Sequence, residues 1–187
     1  MTVPDGFNGL GLFGDRVTRA QRTIDDGHAK IHDSKFYEAF FTASVLAGGV
    51  YRLSILTPAI KIIHYTPSSV ITSGDKVTMQ FYEGSTVTAG TGSLVPMINH
   101  NRILPLTIAG MVLKRGVTVT EDGDLLSSFY LPGATGVGGS RVGSLFGVAA
   151  NEMVLRPSTV YTYKFTNDSS AANTISANFF WYEEVEA

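Results

Sequence analysis

The sequence predicts an all-β protein: an antiparallel β-sandwich of jelly-roll type with an extended N-terminal arm. Segments in which apolar and polar residues alternate recur from Lys30 onward, and a period of two is the pattern of a half-buried strand. Clusters of Gly, Asp, Ser and Pro separate these segments, as expected for turns. No long helical period lies between them, whereas a parallel sheet would need crossover helices. We therefore expect about eight to ten antiparallel strands.

The last third of the chain has the clearest strand pattern. Tyr161, Tyr163 and Phe165 alternate with polar residues, and the segment from Ile175 to Glu183 alternates in the same way. Aromatic and β-branched residues fit a pleated, half-buried surface. Because residues 167–173 are mostly Asn, Asp and Ser, which favour turns, we predict that the two segments form a hairpin.

The same criteria locate the other strands. The predicted strands are Phe36 to Val45, Val50 to Leu56, Ala59 to Tyr65, Val77 to Tyr82, Leu104 to Leu113, Val117 to Thr120, Leu125 to Tyr130, Met153 to Leu155, Val160 to Thr166 and Ile175 to Glu183. Asp122-Gly123 between two of them is a strong hairpin signal. Glu183, Glu184 and Glu186 are interpreted as a solvated end that protects an edge strand, with a salt bridge to a basic neighbour as the alternative.

Residues 1–27 are predicted to be an extended arm. Phe7, Leu10, Leu12 and Phe13 are separated by glycines without a regular period. Such a segment is poor at building its own core but suits a groove on a neighbouring subunit. A short surface helix over 15–26 is the alternative for the second half of the arm, because apolar residues recur there at helical spacing.

Residues 28–187 are predicted to be a single jelly-roll domain. A chain of 187 residues buries roughly 70% of the surface that its unfolded form exposes, which is enough for stability without staples. The Gly-rich segment 132–147 is predicted to be a long flexible loop. Loops of that length are commonly functional or ordered by a partner, so Arg141 within it is predicted to contact a subunit.

Composition excludes several functional classes. The chain has no Cys, which removes disulfides, thiolate catalysis and Cys-ligated metal sites. Its 14 Lys and Arg against 16 Asp and Glu are scattered without a basic run, so no nucleic-acid partner is expected. No apolar stretch is long enough for a membrane span, and the N-terminus lacks the features of a signal peptide, so we expect neither membrane association nor export. Low charge with many aromatic residues suits a surface covered by other protein.

No motif predicts an enzyme, a cofactor site or a metal site. The glycines of 136–140 lack the Lys and the following helix of a phosphate-binding loop, and no Gly-x-Ser-x-Gly occurs. His28 and His32 would share one face of a helix, but their segment is interpreted as the start of a strand. His64 and His100 have no recognisable partner, and the acids of 121–124 are interpreted as turn residues.

The order of several short motifs resembles the capsid decoration, or cement, proteins of tailed bacteriophages. These motifs are Ile31-His32, Gln80-Phe81-Tyr82-Glu83-Gly84-Ser85-Thr86-Val87-Thr88, Asn99-His100-Asn101-Arg102, Gly138-Gly139, Glu152-Met153-Val154-Leu155-Arg156-Pro157-Ser158-Thr159-Val160-Tyr161, Thr166-Asn167 and Trp181-Tyr182-Glu183. The resemblance covers most of residues 30–183. It implies no catalytic residues, and the arm is longer than the family suggests.

The resemblance implies a virion structural protein, assembled in the bacterial cytoplasm, on the outer surface of the capsid. Its expected partners are the major capsid protein and further copies of itself, as a dimer or trimer. The predicted contact residues are Phe7, Leu10, Leu12, Phe13 and Arg141. The alternative is a receptor- or carbohydrate-binding component of a head or tail fibre, because jelly rolls with exposed Tyr and Trp also bind sugars. A glycan hydrolase would need two facing carboxylates, and the sequence nominates no such pair.

Overall fold

Strands make up nearly all the regular structure of the protein. A computed structural model describes residues 12–14, 21–23, 26–66, 69–72, 76–103, 109–131, 141–144 and 152–185. The elements are β1 Leu12–Gly14, β2 Gln21–Thr23, α1 Asp26–His32, β3 Phe36–Val45, β4 Val50–Leu56, β5 Lys61–Thr66, β6 Ser69–Thr72, β7 Val77–Glu83, β8 Thr86–Val87, β9 Ser93–Leu94, β10 Met97–Asn99, β11 Val112–Arg115, β12 Val119–Glu121, β13 Asp124–Leu131, β14 Arg141–Ser144, β15 Met153–Leu155, β16 Val160–Asn167 and β17 Asn173–Val185.

Two antiparallel sheets pack face to face. The six-stranded sheet has the order β13-β7-β16-β4-β11-β9. The seven-stranded sheet has the order β10-β3-β17-β5-β15, with β6 beside the first half of β17 and β14 beside β6. Two small two-stranded sheets, β1-β2 and β8-β12, complete the described strands. The predicted all-β antiparallel sandwich is confirmed, and its finer assignment to the jelly-roll type stays a prediction.

Aromatic rings from both sheets fill the core. The ring of Phe179 in β17 lies 5.3 Å from that of Tyr163 in β16, and Tyr65 in β5 stacks on Phe81 in β7 at 6.0 Å. The hydroxyls of Tyr65 and Tyr163 hydrogen-bond to each other at 2.9 Å across the sheets. Burial raises the pKa of both hydroxyls, so they stay neutral and join the sheets without a buried charge.

The predicted hairpin of β16 and β17 is wrong. β16 pairs with β4 and β7, whereas β17 pairs with β3, β5 and β6 in the other sheet. Both strands have one apolar face, and they bury these faces against each other across the core. Buried Asn167 fixes the crossing between the sheets, since its side-chain amide donates to the carbonyls of Val45 at 2.9 Å and Ala171 at 2.8 Å.

The predicted hairpin at Asp122-Gly123 is also wrong. β12 pairs with β8, while β13 pairs with β7. Gly123 lies at the corner between these two pairings with φ +81°. A Cβ at this position would lie less than 3.0 Å from backbone atoms of Glu83 and Gly84, so the positive φ and the close approach both require glycine.

Other boundaries differ from the sequence prediction. The bounds of β3, β4 and β15 match it. Residues 104–108 of one predicted strand lie outside the described residues, and β11 covers only the end of that prediction. The predicted flexible loop contains β14, which pairs with β6. In the predicted arm, β1 pairs with β2, so the surface-helix alternative fails at 21–23.

The segment predicted to begin a strand at His28 and His32 is α1. The helix occupies Asp26–His32 and ends before the positive φ of Ser34. Both histidines therefore lie on one short helix, four residues apart. Among the residues that the structure describes, no group of three or more His, Cys, Asp or Glu could hold a metal ion.

Candidate functional site

The most unusual surface of the described fold is the edge strand β13. Four large apolar or aromatic side chains on it are exposed: Leu125 (52%), Leu126 (44%), Phe129 (36%) and Tyr130 (56%). No residue from Leu125 to Leu131 is charged. Soluble proteins usually shield strand edges with charges, Pro or short length, so this strand resembles a surface that another protein covers.

A bulge in β13 determines which way its side chains face. Leu125 pairs with Tyr82 and Ser127 pairs with Phe81, so Leu126 is an extra residue in the ladder. Beyond the bulge, Phe129 pairs with buried Met79 and therefore faces the core side. Tyr130 is the next residue and faces the outer side, because successive residues alternate.

The start of β13 is held by Asp122. Its carboxylate forms ion pairs with Arg52 and with Lys164, the latter at 3.1 Å. The backbone carbonyl of Asp122 accepts a hydrogen bond from the Ser85 hydroxyl. The hydrogen bond from Arg52, with a further one from Lys164, lowers the pKa of Asp122. The corner that leads into β13 is thus tied to β4 and β16, which lie deeper in the same sheet.

A second apolar surface lies where β15 pairs with β5. Ile60 (76%) and Val154 (62%) are exposed there. A shallow pocket of about 280 Å³ is lined by Ala59, Ile60, Lys61, Ile62, Val154, Leu155, Arg156 and Pro157. The Arg156 side chain is exposed and lies 3.5 Å from Glu83. This surface, which we call the Val154 surface, offers an apolar patch with a cation at its rim.

A group of titratable side chains within the described residues lies on the outer face of the seven-stranded sheet. His64 Nδ1 is 2.6 Å from Glu152, and its Nε2 is 3.5 Å from Glu184. The imidazole stacks on Tyr182 with ring centres 4.3 Å apart. The Tyr182 hydroxyl donates to Glu152 at 2.9 Å. Lys30 forms an ion pair with Glu184 and lies over the Tyr182 ring.

This cluster joins parts of the fold. Lys30 lies on α1, His64 on β5, and Glu184 on β17, so the contacts tie the helix to the sheet. The hydrogen bond from Lys30 lowers the pKa of Glu184. Every acid in the group already contacts a cation, imidazole or hydroxyl. The arrangement therefore explains the position of α1 without requiring a ligand.

The C-terminal acids are not the predicted solvated end of an edge strand. β17 is an inner strand, and Glu183 is buried. Its carboxylate is 2.7 Å from Lys61 Nζ and accepts backbone N–H bonds from Gly110 and Met111 at 2.8 to 3.0 Å. The salt-bridge alternative holds for Glu183 and Glu184, while Glu186 lies outside the described residues.

His64 and His100, for which the sequence predicted no partner, each have one. His64 belongs to the cluster above. His100 Nε2 lies 3.1 Å from Glu38, and its ring packs edge-on against Phe36 at 5.0 Å. His100 and Glu38 are 62 positions apart in the sequence, and only the pairing of β3 with β10 brings them together. The sequence therefore does not indicate this contact.

The predicted contact residues are only partly described. Phe7 and Leu10 lie outside the described residues. Leu12 and Phe13 lie in β1, where their backbones pair with Thr23 and Arg22, and Arg141 begins β14 opposite Thr72. The described pairings place β1 and β14 in separate sheets, so they bring none of these residues together.

The position of β13 agrees with the strand predicted from Leu125 to Tyr130, but its exposure was not predicted. Leu125-Leu126-Ser127-Ser128-Phe129-Tyr130 departs from strict alternation: two apolar pairs flank two serines. A strand with such a pattern has apolar residues on both faces, and one sandwich core can cover only one of them. This broken alternation is the feature of the sequence from which the exposure of β13 could have been predicted.

Comparison with known proteins finds no match. No protein-family model, curated protein or solved structure matches the chain. Within the described part of the chain, no helix is both long and apolar enough to cross a membrane. The family therefore stays a prediction from the motifs in the sequence.

Proposed function

We propose that this protein is a structural component of a bacteriophage virion that binds the outer surface of the assembled capsid. It stabilises the capsid by bridging neighbouring major capsid proteins, and it has no enzymatic activity. The observation that carries the proposal is the Val154 surface, where exposed apolar side chains surround a shallow pocket. The motif resemblance to decoration proteins supports the choice of partner.

The Val154 surface has the chemistry of a protein contact. Interfaces combine an apolar centre with a polar rim, and Arg is among the residues enriched there. Val154 and Ile60 supply the apolar centre, while Arg156 supplies a donor for carboxylates at the rim. The backbone N–H of Arg156 donates to the Tyr161 hydroxyl at 2.8 Å, so the rim is anchored to the core.

Binding would stabilise the capsid by mass action. A ligand that binds the assembled shell and not its separated subunits shifts the equilibrium towards the shell. A subunit that contacts two or three neighbours gains further from effective concentration, so weak single contacts add up to firm attachment. The predicted contacts at Phe7, Leu10, Leu12, Phe13 and Arg141 remain part of this proposal as additional points of attachment.

One argument for the alternative function, a receptor- or carbohydrate-binding fibre component, does not hold. Sugar-binding sites commonly use exposed aromatic rings, but Trp181, the only Trp, is fully buried. It stacks on Tyr37 at 5.6 Å, and its indole N–H points to Glu183 at 3.3 Å. Trp181 therefore belongs to the core, and we do not advance a carbohydrate-binding role.

Co-sedimentation with empty capsids that lack this protein tests the proposal. The capsids come from the phage that encodes the chain. We expect saturation at hundreds of copies per capsid for a decoration protein. Val154→Asp should lower the occupancy at least about tenfold, because it places a charge in an apolar contact. Leu94→Asp, at a residue equally exposed on β9 (65%), is the matched control and should bind normally. No binding by the unaltered protein would refute the proposal.

A further inference from the structure

The edge strand β13 presents hydrogen-bonding groups to the outside. Within the described residues its one neighbouring strand is β7. In an antiparallel strand, alternate residues direct their N–H and C=O groups to opposite sides, so half of these groups point away from β7. Eight residues at roughly 3.4 Å each make this edge about 27 Å long.

The edge is also neutral over two strands. Leu125 to Leu131 carries no charge, and neither does the facing stretch of β7 from Val77 to Tyr82. A strongly acidic or basic partner strand would find no complementary charge here. A partner that is itself neutral and apolar fits best.

The strand is complementary to itself. Paired antiparallel with a second copy, Ser128 faces Ser128 of that copy on a two-fold axis. The bulge residues Leu126 and Ser127 then face Phe129 of the second copy, and Leu125 faces its Tyr130. This register keeps every side chain on the face that it occupies in the monomer, because the bulge at Leu126 shifts the alternation by one. Small serines meet at the axis, and a leucine meets an aromatic ring on each side of it.

We propose that β13 is a dimerisation strand, which pairs antiparallel with β13 of a second copy around a two-fold axis at Ser128. The two six-stranded sheets then form one continuous sheet of twelve strands. In a closed two-fold pair, the outward N–H and C=O groups of both copies of β13 are hydrogen-bonded at once. Pairing with a different partner would not explain why the side chains of β13 match those of a second copy. The inference goes beyond capsid binding and does not depend on it.

A single-cysteine experiment tests the pairing. The chain has no Cys, so Ser128→Cys introduces the only thiol. Directly opposed residues of antiparallel strands have Cα atoms about 4.5 to 5.5 Å apart, which is within the range of a disulfide. Ser170→Cys, in the exposed turn between β16 and β17, is the control. Both full-length variants are oxidised mildly at equal concentration and separated on non-reducing gels, after circular dichroism has verified the β-sheet spectrum.

We expect Ser128→Cys to give a covalent dimer at least about ten times faster than Ser170→Cys, because its thiols are held together before oxidation. Dilution below the dimer dissociation constant should remove this advantage. Equal rates for the two variants at all concentrations would overturn the proposal. Slow alkylation of the Ser128→Cys thiol in a protein that sediments as a 20.1 kDa monomer would also overturn it, since another segment of the chain would then cover the edge. Neither result requires capsids, so the capsid proposal stands or falls separately.

Discussion

The two edges of the six-stranded sheet are built differently. β9 at one edge has two residues and lies against β11, where Lys114 and Arg115 are its direct partners. β13 at the other edge has eight residues and no charge after Asp124. Short length and nearby cations are common ways to prevent a strand edge from pairing. β9 has both, and β13 has neither.

The β9 edge is thus protected against pairing with another strand, whereas the β13 edge is not. If exposure of apolar residues were simply tolerated, it would be expected at both edges alike. Leu94 on β9 is indeed exposed, but it stands alone beside a lysine. On β13 four exposed apolar residues follow one another around a serine centre, and the corner at Asp122 and Gly123 fixes the start of the strand. This contrast supports the proposal that β13 pairs with a second copy.

The largest effect is expected from a charge at the centre of β13. Ser128→Glu would place two carboxylates against each other on the two-fold axis, and like-charge contacts at interfaces cost several kcal/mol. The dimer dissociation constant, measured by sedimentation equilibrium, should rise at least about a hundredfold. Ser93→Glu on β9, beside Arg115, should leave it unchanged. Equal effects of the two substitutions would remove the distinction between the edges.

The next largest effect is expected on folding stability, from a substitution at the corner before β13. Gly123→Ala combines a positive φ with a backbone clash, so we expect it to lower the free energy of unfolding by about 2 kcal/mol or more. Gly90→Ala is the matched control, because Gly90 has φ +76° but open space around its Cα; it should cost only about 1 kcal/mol. Urea denaturation measures both, and similar losses would show that the close approach to Glu83 is unimportant.

The ion pairs of Asp122 should contribute a pH-dependent part of the stability. Arg52 and Lys164 lower its pKa in the folded state, so their contribution is full above the unfolded pKa and disappears as pH falls through the folded pKa. Asp122→Asn should therefore lower the unfolding free energy by about 1 kcal/mol at neutral pH, and the difference from the unaltered protein should shrink in acid. A difference that stays constant with pH would exclude this origin.

Salt should have the smallest effect. Because Leu125 to Leu131 and the facing part of β7 are uncharged, the proposed dimer would have no ion pair at its centre for salt to screen. Raising the sodium chloride concentration should change the dimer dissociation constant by no more than about twofold. Marked weakening in salt, seen in the same sedimentation experiments, would indicate a charged interface elsewhere on the protein.

The sequence predicts strands better than their partners. Period-two patterns located β3, β4 and β15 with matching bounds, since alternation depends only on local residues. The same pattern cannot say whether β16 and β17 lie side by side or face each other, because an apolar face suits both arrangements. The side chain of Asn167 marks the difference, because besides nearby Ala171 it donates to Val45 and Leu46, which are more than 100 positions away.

Parts of the site could still have been predicted. Glu183 continues the inward parity of Phe179 and Trp181, so its burial follows from alternation, although its partners Gly110 and Met111 do not. The exposure of β13 follows from its broken alternation, but the bulge at Leu126 depends on pairing with β7. The Val154 surface is formed by two segments, 59–62 and 154–157, that are far apart in the sequence, and neither segment alone predicts it.

Amide hydrogen exchange of the unaltered protein at two concentrations tests the account most directly. If β13 pairs with a second copy, the amides between Leu125 and Leu131 that point away from β7 exchange slowly in concentrated protein and rapidly after dilution. The amides of β9 exchange equally fast in both. Fast exchange of these β13 amides at every concentration, at the rate of β9, would contradict the proposal that β13 is a dimerisation strand.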